Sequence, residues 1–297
     1  MGSFEWFVAK GGYHCDRRLW QDMGAEHCAP TVVLFPDYTL AWRRYPPMVA
    51  HPVLYRLFAD VEPTAAGIQG FANQYGLLGV WGNVWPDDAK TGLPVYGEPI
   101  ATWQAGIRDL RHALLVWDVL QRRDHETLSR WAPIEVAGDQ LYCRVPPESP
   151  LSGGRPFVQE LRRPDGMLAL ALRDPQSYVI EPLPPRDAWG YASAWLQAQI
   201  NWHLTEYVTP HLGYDPETAT AVPFTMQLMP THLYGALWLQ FALSMGGKEW
   251  DRHCLQCGTW FRVPAKAHRP NTVYCSTRCR VRAARQRQTD AALALSR

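Results

Sequence analysis

The last 44 residues carry "CLQC" and "YCSTRC", which place Cys254, Cys257, Cys275 and Cys279 in the pattern C-x2-C, seventeen intervening residues, then C-x3-C. No other feature limits the fold so strongly. Each close pair is prepositioned by one local turn, and two such pairs supply the four tetrahedral ligands that zinc prefers. Gly258 follows the second thiol, where a tight knuckle folds its amides toward a metal. Cys275 and Cys279 are four apart, so a helix through "CSTRCRVRAARQRQ" turns both sulfurs the same way. Placement at a helix N-terminus also favours the thiolate. A knuckle plus two ligands on the opening turn of a helix is the treble-clef arrangement, with "TWFRV" and "TVY" as its short strands. A segment this short cannot bury enough surface to fold alone, and a structural zinc contributes on the order of 10 kcal/mol of apparent folding free energy. The expected cofactor is one Zn²⁺. Four thiolates leave no open coordination position, so the metal is a staple and not a catalyst. The alternative is four buried thiols without metal.

The charge pattern singles out the same region. Between Arg252 and Thr289 stand nine basic residues and no Asp or Glu, which leaves the remainder of a chain of formal charge +1 at −8. An acidic body with a basic tail is an asymmetry found in proteins with anionic partners. Zinc with four thiolates carries −2, so about +7 remains across the module. If the helix runs on from Cys275, then Arg278, Arg282 and Arg285 share one face, and Arg280 and Arg287 another. Guanidinium groups match phosphate oxygens bidentately, which makes these five arginines the candidate nucleic-acid contacts. The competing reading is a solvated terminal helix with some arginines neutralising the metal cluster or the acidic body.

The remaining chain reads as an α+β body, mainly helical with a small antiparallel sheet, over residues 1–247; the finger and its basic helix occupy 248–297. Fourteen Trp, 47% hydrophobic residues and 19% charged residues describe a compact protein with a substantial core. "PVLYRLFADVEPTAAGIQGFANQYGLLG" predicts two short helices, the second opening near Pro63-Thr64 and closing at Gly76. The longest helical pattern follows, with Trp103, Ile107, Leu110, Leu114, Trp117 and Leu120 recurring every three or four residues as a buried stripe. Between Trp131 and Pro182 the period changes: "FVQEL", "RPDG" and "MLALAL" predict a hairpin, and "LYCRV" and "SYVIEPL" further strands. Helices over about 188–207 and 230–245 complete the body. The apolar run "GALWLQFALSM" is about half a membrane span and is interrupted by Gln240. The first thirty residues have no uninterrupted apolar core of the kind a signal peptide needs, so the expectation is a cytoplasmic chain with reduced thiols.

"INWHLTEYVTPHL", "VPFTMQLMPTHLYGALWLQFALSM", "CLQCGTWF" and "YCSTRC" give the C-terminal 110 or so residues a resemblance to bacterial proteins that join an ABATE domain to a CGNR-type zinc finger. The resemblance implies a stress-responsive transcription regulator, with an N-terminal domain that senses a small molecule and a finger that binds DNA. Where that family reads Cys-Gly-Asn-Arg, this chain has Cys279-Arg280-Val281-Arg282, and its last cysteine pair is one residue closer. The spacing is also similar to MYM and FCS type fingers, several of which contact protein or RNA.

Other clusters are less specific. His14, Cys15, His27 and Cys28 could form a second metal site, although adjacent His-Cys pairs diverge and chelate one ion poorly. His112, Trp103 and Trp117 could line a ligand pocket, but tryptophans at helical spacing are ordinarily core. Asp87-Asp88 reads as a polar loop. No nucleophile elbow, phosphate loop, dinucleotide fingerprint or H-E-x-x-H occurs, so no motif proposes a reaction. Three functions stand at this point: a transcription regulator that binds nucleic acid, a protein-interaction module, and an enzyme whose site lies in the body.

Overall fold

The computed structural model describes residues 4–22, 29–37, 41–80, 82–85, 95–137, 140–143, 145–152, 160–161, 187–214, 224–246, 250–263 and 272–295. The chain begins with strands β1 (Trp6–Ala9), β2 (Tyr13–Asp22), β3 (Ala29–Pro36) and β4 (Trp42–Tyr45). Helices α1 (Pro47–Ala50), α2 (Leu54–Ala59) and α3 (Ala65–Tyr75) lead to β5 (Gly82–Trp85) and β6 (Val95–Pro99). Then come α4 (Ile100–Arg122), α5 (His125–Trp131), β7 (Ile134–Ala137), β8 (Gln140–Cys143) and β9 (Glu160–Leu161). The rest is α6 (Ala188–Tyr207), β10 (Val208–Tyr214), β11 (Phe224–Pro230), α7 (Leu233–Gly246), β12 (Trp250–His253), β13 (Trp260–Val263) and α8 (Thr277–Leu295).

Every strand pairing among the described residues is antiparallel. The expected mixture of helix and small sheets is present, but the sheets are placed differently. Six of the described strands lie ahead of α4: β1 pairs with β4, and β2, β3, β6 and β5 close into a small barrel around Val33, Phe35 and Val84. A ribbon of β10 and β11 joins α6 to α7, where the sequence predicted the two helices and assigned nothing between them. Of the sheet expected between Trp131 and Pro182, the structure shows β7, β8 and β9; the "RPDG" turn, "MLALAL" and "SYVIEPL" lie outside the described residues.

The helices form where local chemistry demands. Thr64 caps α3 by accepting from the Gly67 N–H, and Gly76 ends it, as the sequence predicted. Asp187 caps α6 in the same way through Gly190. The α4 stripe is buried from Trp103 to Leu120, with Trp117 half-buried. In α7 every residue from Leu233 to Phe241 is buried, so this helix has almost no polar face. Gly235 allows its close approach to the end of α6, since a Cβ there would lie 2.4 Å from the Tyr207 carbonyl oxygen. Helices α2, α4, α6 and α7 pack into one core filled by Trp103, Trp195, Trp238, Phe58 and Phe241. Within it, Gln240 ties α1 to α2: its amide donates to the Pro47 and His51 carbonyls at 3.0 and 2.9 Å, and its oxygen accepts from the Tyr55 N–H. The polar interruption of the apolar run is thus a junction between helices. No described helix is long and apolar enough to cross a membrane.

Glu98, at the end of β6, is fully buried, and its carboxylate accepts from the N–H groups of Leu78, Gly79 and Val80 at 2.9, 2.5 and 2.9 Å. Burial pushes this carboxyl up to about 7 against the pull of those bonds, which favour the ionised form. The folded chain therefore holds the proton more tightly than the unfolded chain does. That contribution to stability is full below the ordinary value of 4.5 and is lost as pH rises through about 7. Thermal melts across this window should show Glu98→Gln losing less of its melting temperature with rising pH than the parent protein. Parallel pH profiles would assign the titration elsewhere.

Candidate metal centre and its docking on the body

Strands β12 and β13 form a hairpin in register from Trp250↔Val263 to His253↔Trp260. The first cysteine pair occupies its turn. Cys254 continues the ladder by donating its N–H to the Thr259 carbonyl at 3.0 Å, and the Gly258 N–H closes the turn on the Cys254 carbonyl at 2.8 Å. Gly258 has φ 71, in the left-handed region that glycine enters freely, so the predicted knuckle has a backbone reason for its glycine. The second pair flanks the start of α8. Ser276 caps this helix, its Oγ accepting from the Cys279 N–H at 3.2 Å.

Two local expectations are corrected here. The strand that pairs with "TWFRV" is β12, upstream of the first cysteine, whereas residues 272–274 ("TVY") form no strand and touch the knuckle through a single ladder-like bond from the Leu255 N–H to the Val273 carbonyl. Cys275 precedes the helix cap instead of sitting on its opening turn. The sulfurs converge nonetheless, because the capping turn folds Cys275 back over the first turn of α8.

The four thiol sulfurs all lie within 4.8 Å of one another. Sγ of Cys275 is 3.6 Å from that of Cys279 and 3.7 Å from that of Cys257. Sulfurs about 2.3 Å from a central zinc would be separated by about 3.8 Å along a tetrahedron edge, so the arrangement is close enough to hold a metal ion and is consistent with zinc. Cys254 and Cys279 are buried, whereas Cys257 and Cys275 reach the surface. Burial raises the Cys254 thiol, but N–H bonds from Cys275, Cys257 and Gln256 outweigh it and bring it down to about 6. Burial and the neighbouring thiols push Cys275 up to about 12. A dication among the sulfurs reverses that mutual opposition. Four sulfurs close the coordination shell, which suits a structural centre.

The hairpin packs against α2 of the body. Asp251, whose side chain is 4% exposed, accepts from the Tyr55 hydroxyl and pairs with Arg262, Nε to Oδ1, at 3.0 Å. Burial, and then the Asp251 charge, push the Tyr55 phenol up to about 12. The Trp260 indole donates to Asp60 Oδ2 at 2.6 Å, and its ring lies under the Arg56 guanidinium, 4.7 Å from the ring centroid. Arg56 is itself fixed by two 3.0 Å bonds to Asp118 of α4. The sequence reading missed this contact, since its partners are about 200 positions apart; the one local signal is an acidic residue, Asp251, at the edge of an otherwise acid-free segment.

Arg278, Arg280, Arg282, Arg285 and Arg287 are all exposed, and among the described residues none is tied down by a hydrogen bond or an ion pair. Elsewhere in the basic window, Arg262 is engaged by Asp251 and Arg252 by the Thr272 carbonyl; Lys266 and Arg269 lie outside the described residues.

The other candidate clusters fall only partly within the described residues. His14 is exposed on β2, 3.9 Å from Asp37, and Cys15 is half-buried beside it; His27 and Cys28, like Asp87 and Asp88, lie outside the described residues. Trp103 is core, and His112 is a half-buried ring whose charged form is disfavoured by burial. Among the described residues, the four cysteines are the one group of three or more His, Cys, Asp or Glu placed to hold a metal ion.

In comparisons with known proteins, no family model, no curated protein and no solved structure matches the chain.

Two outcomes follow from this geometry. Native mass spectrometry should find one metal ion per chain, lost when Cys254 and Cys257 are both changed to Ser; a retained ion would remove these ligands from the centre. Asp251→Ala leaves Arg262 uncompensated in a buried interface and should cost about 3 kcal/mol in urea unfolding, against about 1 kcal/mol for Tyr55→Phe.

Proposed function

We propose that the chain is a transcription regulator of the ABATE/CGNR kind, in which a zinc-pinned treble clef presents a basic helix to nucleic acid and the α+β body senses a ligand or partner. The observation that carries this reading is the set of five exposed arginines, without side-chain partners among the described residues, on a helix rooted in the cysteine cluster. Unpaired guanidinium groups repel one another and remain hydrated until an anion arrives, and phosphates are the anions that they match best. Four thiolates at tetrahedral spacing suit zinc, and the knuckle followed by a capped helix suits the treble clef. Support for a sensing body comes from α2, which touches the hairpin through Tyr55 and Arg56 and packs on α4 and α7 behind it. A shift in that core has a direct route to the finger.

A protein-interaction reading draws support from another surface. Leu212, Met226 and Leu228 stand 66%, 70% and 50% exposed on the β10–β11 ribbon, with Leu212 directly opposite Met226. Such a face is apolar enough to dock on protein.

Titrating duplex DNA and RNA against the parent protein and an Arg278→Ala, Arg282→Ala, Arg285→Ala triple variant over a range of salt tests the leading reading. The variant should bind more weakly, and its log K against log salt slope should be shallower by about 2 to 3. Salt-insensitive binding that is equal in both proteins, or no binding, would sink it. Co-purification of a protein partner that survives high salt without nucleic acid would favour the second reading.

A further inference from the structure

The two arginine faces of α8 say how the helix meets its target. Successive residues advance about 100° around a helix, so Arg278, Arg282 and Arg285 form one row and Arg280 and Arg287 a second, about 180° away on the opposite flank. The side facing the sulfur cluster carries Cys279 and Ala283, the two buried among the described side chains of the helix. The outward side, between the arginine rows, carries Thr277, Val281 and Gln288, all exposed, with Ala284 half-buried. That ridge is small and mostly uncharged. From Arg285 to Thr289 every side chain is exposed, so α8 is anchored by its first two turns and then projects.

Resting on the nucleic-acid reading above, we infer that α8 lies in the major groove of duplex DNA, with one arginine row on each of the two phosphate strands and the ridge of Thr277, Val281, Ala284 and Gln288 toward the base edges. A helix with its side chains is about 10–12 Å across, and the major groove of B-form DNA is about 12 Å wide, bounded by a phosphate strand on each side. Arginines on opposite flanks suit two such walls. A helix lying on a single strand would use one flank and leave the other row without a partner. The major groove of an RNA duplex is too narrow and deep to admit a helix. Recognition of single strands depends on aromatic side chains that stack on bases, and α8 has none between Thr277 and Leu295. Gln288 is the ridge residue with an amide able to pair with adenine, and Val281 offers an apolar contact for the thymine methyl group.

The full-length protein, titrated with a 25-base-pair duplex DNA of mixed sequence, the RNA duplex of the same sequence and one of the DNA strands alone, tests this placement. Tightest binding to the DNA duplex, by tenfold or more, is expected, with displacement by the major-groove ligand methyl green and not by the minor-groove ligand netropsin. Arg280→Ala with Arg287→Ala, and separately Arg278→Ala with Arg282→Ala, should each lower the salt slope by about 2. Gln288→Ala should leave the slope unchanged and relax the preference among duplexes selected from a random pool. All these positions are exposed, and an unchanged melting temperature and metal content show that each variant is folded. Equal binding to RNA or single strands, displacement by netropsin, or a slope that depends on one row alone would overturn the groove placement while leaving nucleic-acid binding intact. Binding to none of the three would overturn both.

Discussion

Four sulfurs within 4.8 Å of one another are the constraint on which the C-terminal segment depends. Thiolates at that distance repel, and a cation placed among them would turn that repulsion into attraction. Its reach extends well past the sulfurs. Cys254 and Cys257 sit in the turn of the β12–β13 hairpin, and Cys275 and Cys279 flank the cap of α8, so closing the tetrad sets the direction in which the helix leaves the module. The helix then carries five exposed arginines whose side chains form no hydrogen bond or ion pair among the described residues. A segment with little apolar surface of its own thereby presents a rigid, strongly charged helix, which is the basis of the function proposed for it.

The module is also joined to the body. Asp251 is nearly inaccessible to solvent and is shared by Arg262 of its own hairpin and Tyr55 of α2, while Trp260 lies between Arg56 and Asp60. A buried carboxylate is tolerated only while its donors remain in place, which makes this junction specific in geometry as well as adhesive. Helix α2 is short, and its opposite side belongs to the aromatic core with α4 and α7. Gln240 of α7 holds the Tyr55 N–H, so the residue whose hydroxyl reaches Asp251 is fixed at its backbone by the centre of the body.

Much of the helical structure was legible in the chain. Thr64 and Gly76 bracket α3 because a hydroxyl cap and a terminal glycine act within one turn, and the α4 stripe repeats every three or four residues because one side of that helix meets the core. The strands were harder to read. In β2 only Tyr13 is fully buried, so no clean alternation marks it, and the barrel it enters is closed by β5 and β6, more than sixty residues downstream. The β10–β11 ribbon leaves Leu212, Met226 and Leu228 exposed, and thus carries apolar residues where the alternation rule expects polar ones. The strand pair beside the cysteine cluster shows the same difficulty: "TVY" has strand composition, but β13 pairs with β12, and residues 272–274 make one backbone bond to the knuckle without entering a ladder.

By itself, the sequence determined the four clustered cysteines, the glycine that turns the knuckle, the longer helices of the body and the arginine composition of the last helix. All of these rest on short-range spacing, where backbone geometry leaves few choices. Only the tertiary structure decided that β12 completes the hairpin, that Asp251 and Trp260 seat it on α2, and that the five arginines of α8 are exposed. Those outcomes depend on contacts between residues as far apart as Tyr55 and Asp251, 196 positions along the chain. Such contacts form because burial and charge pairing are satisfied in three dimensions, and they leave no periodic mark in the sequence.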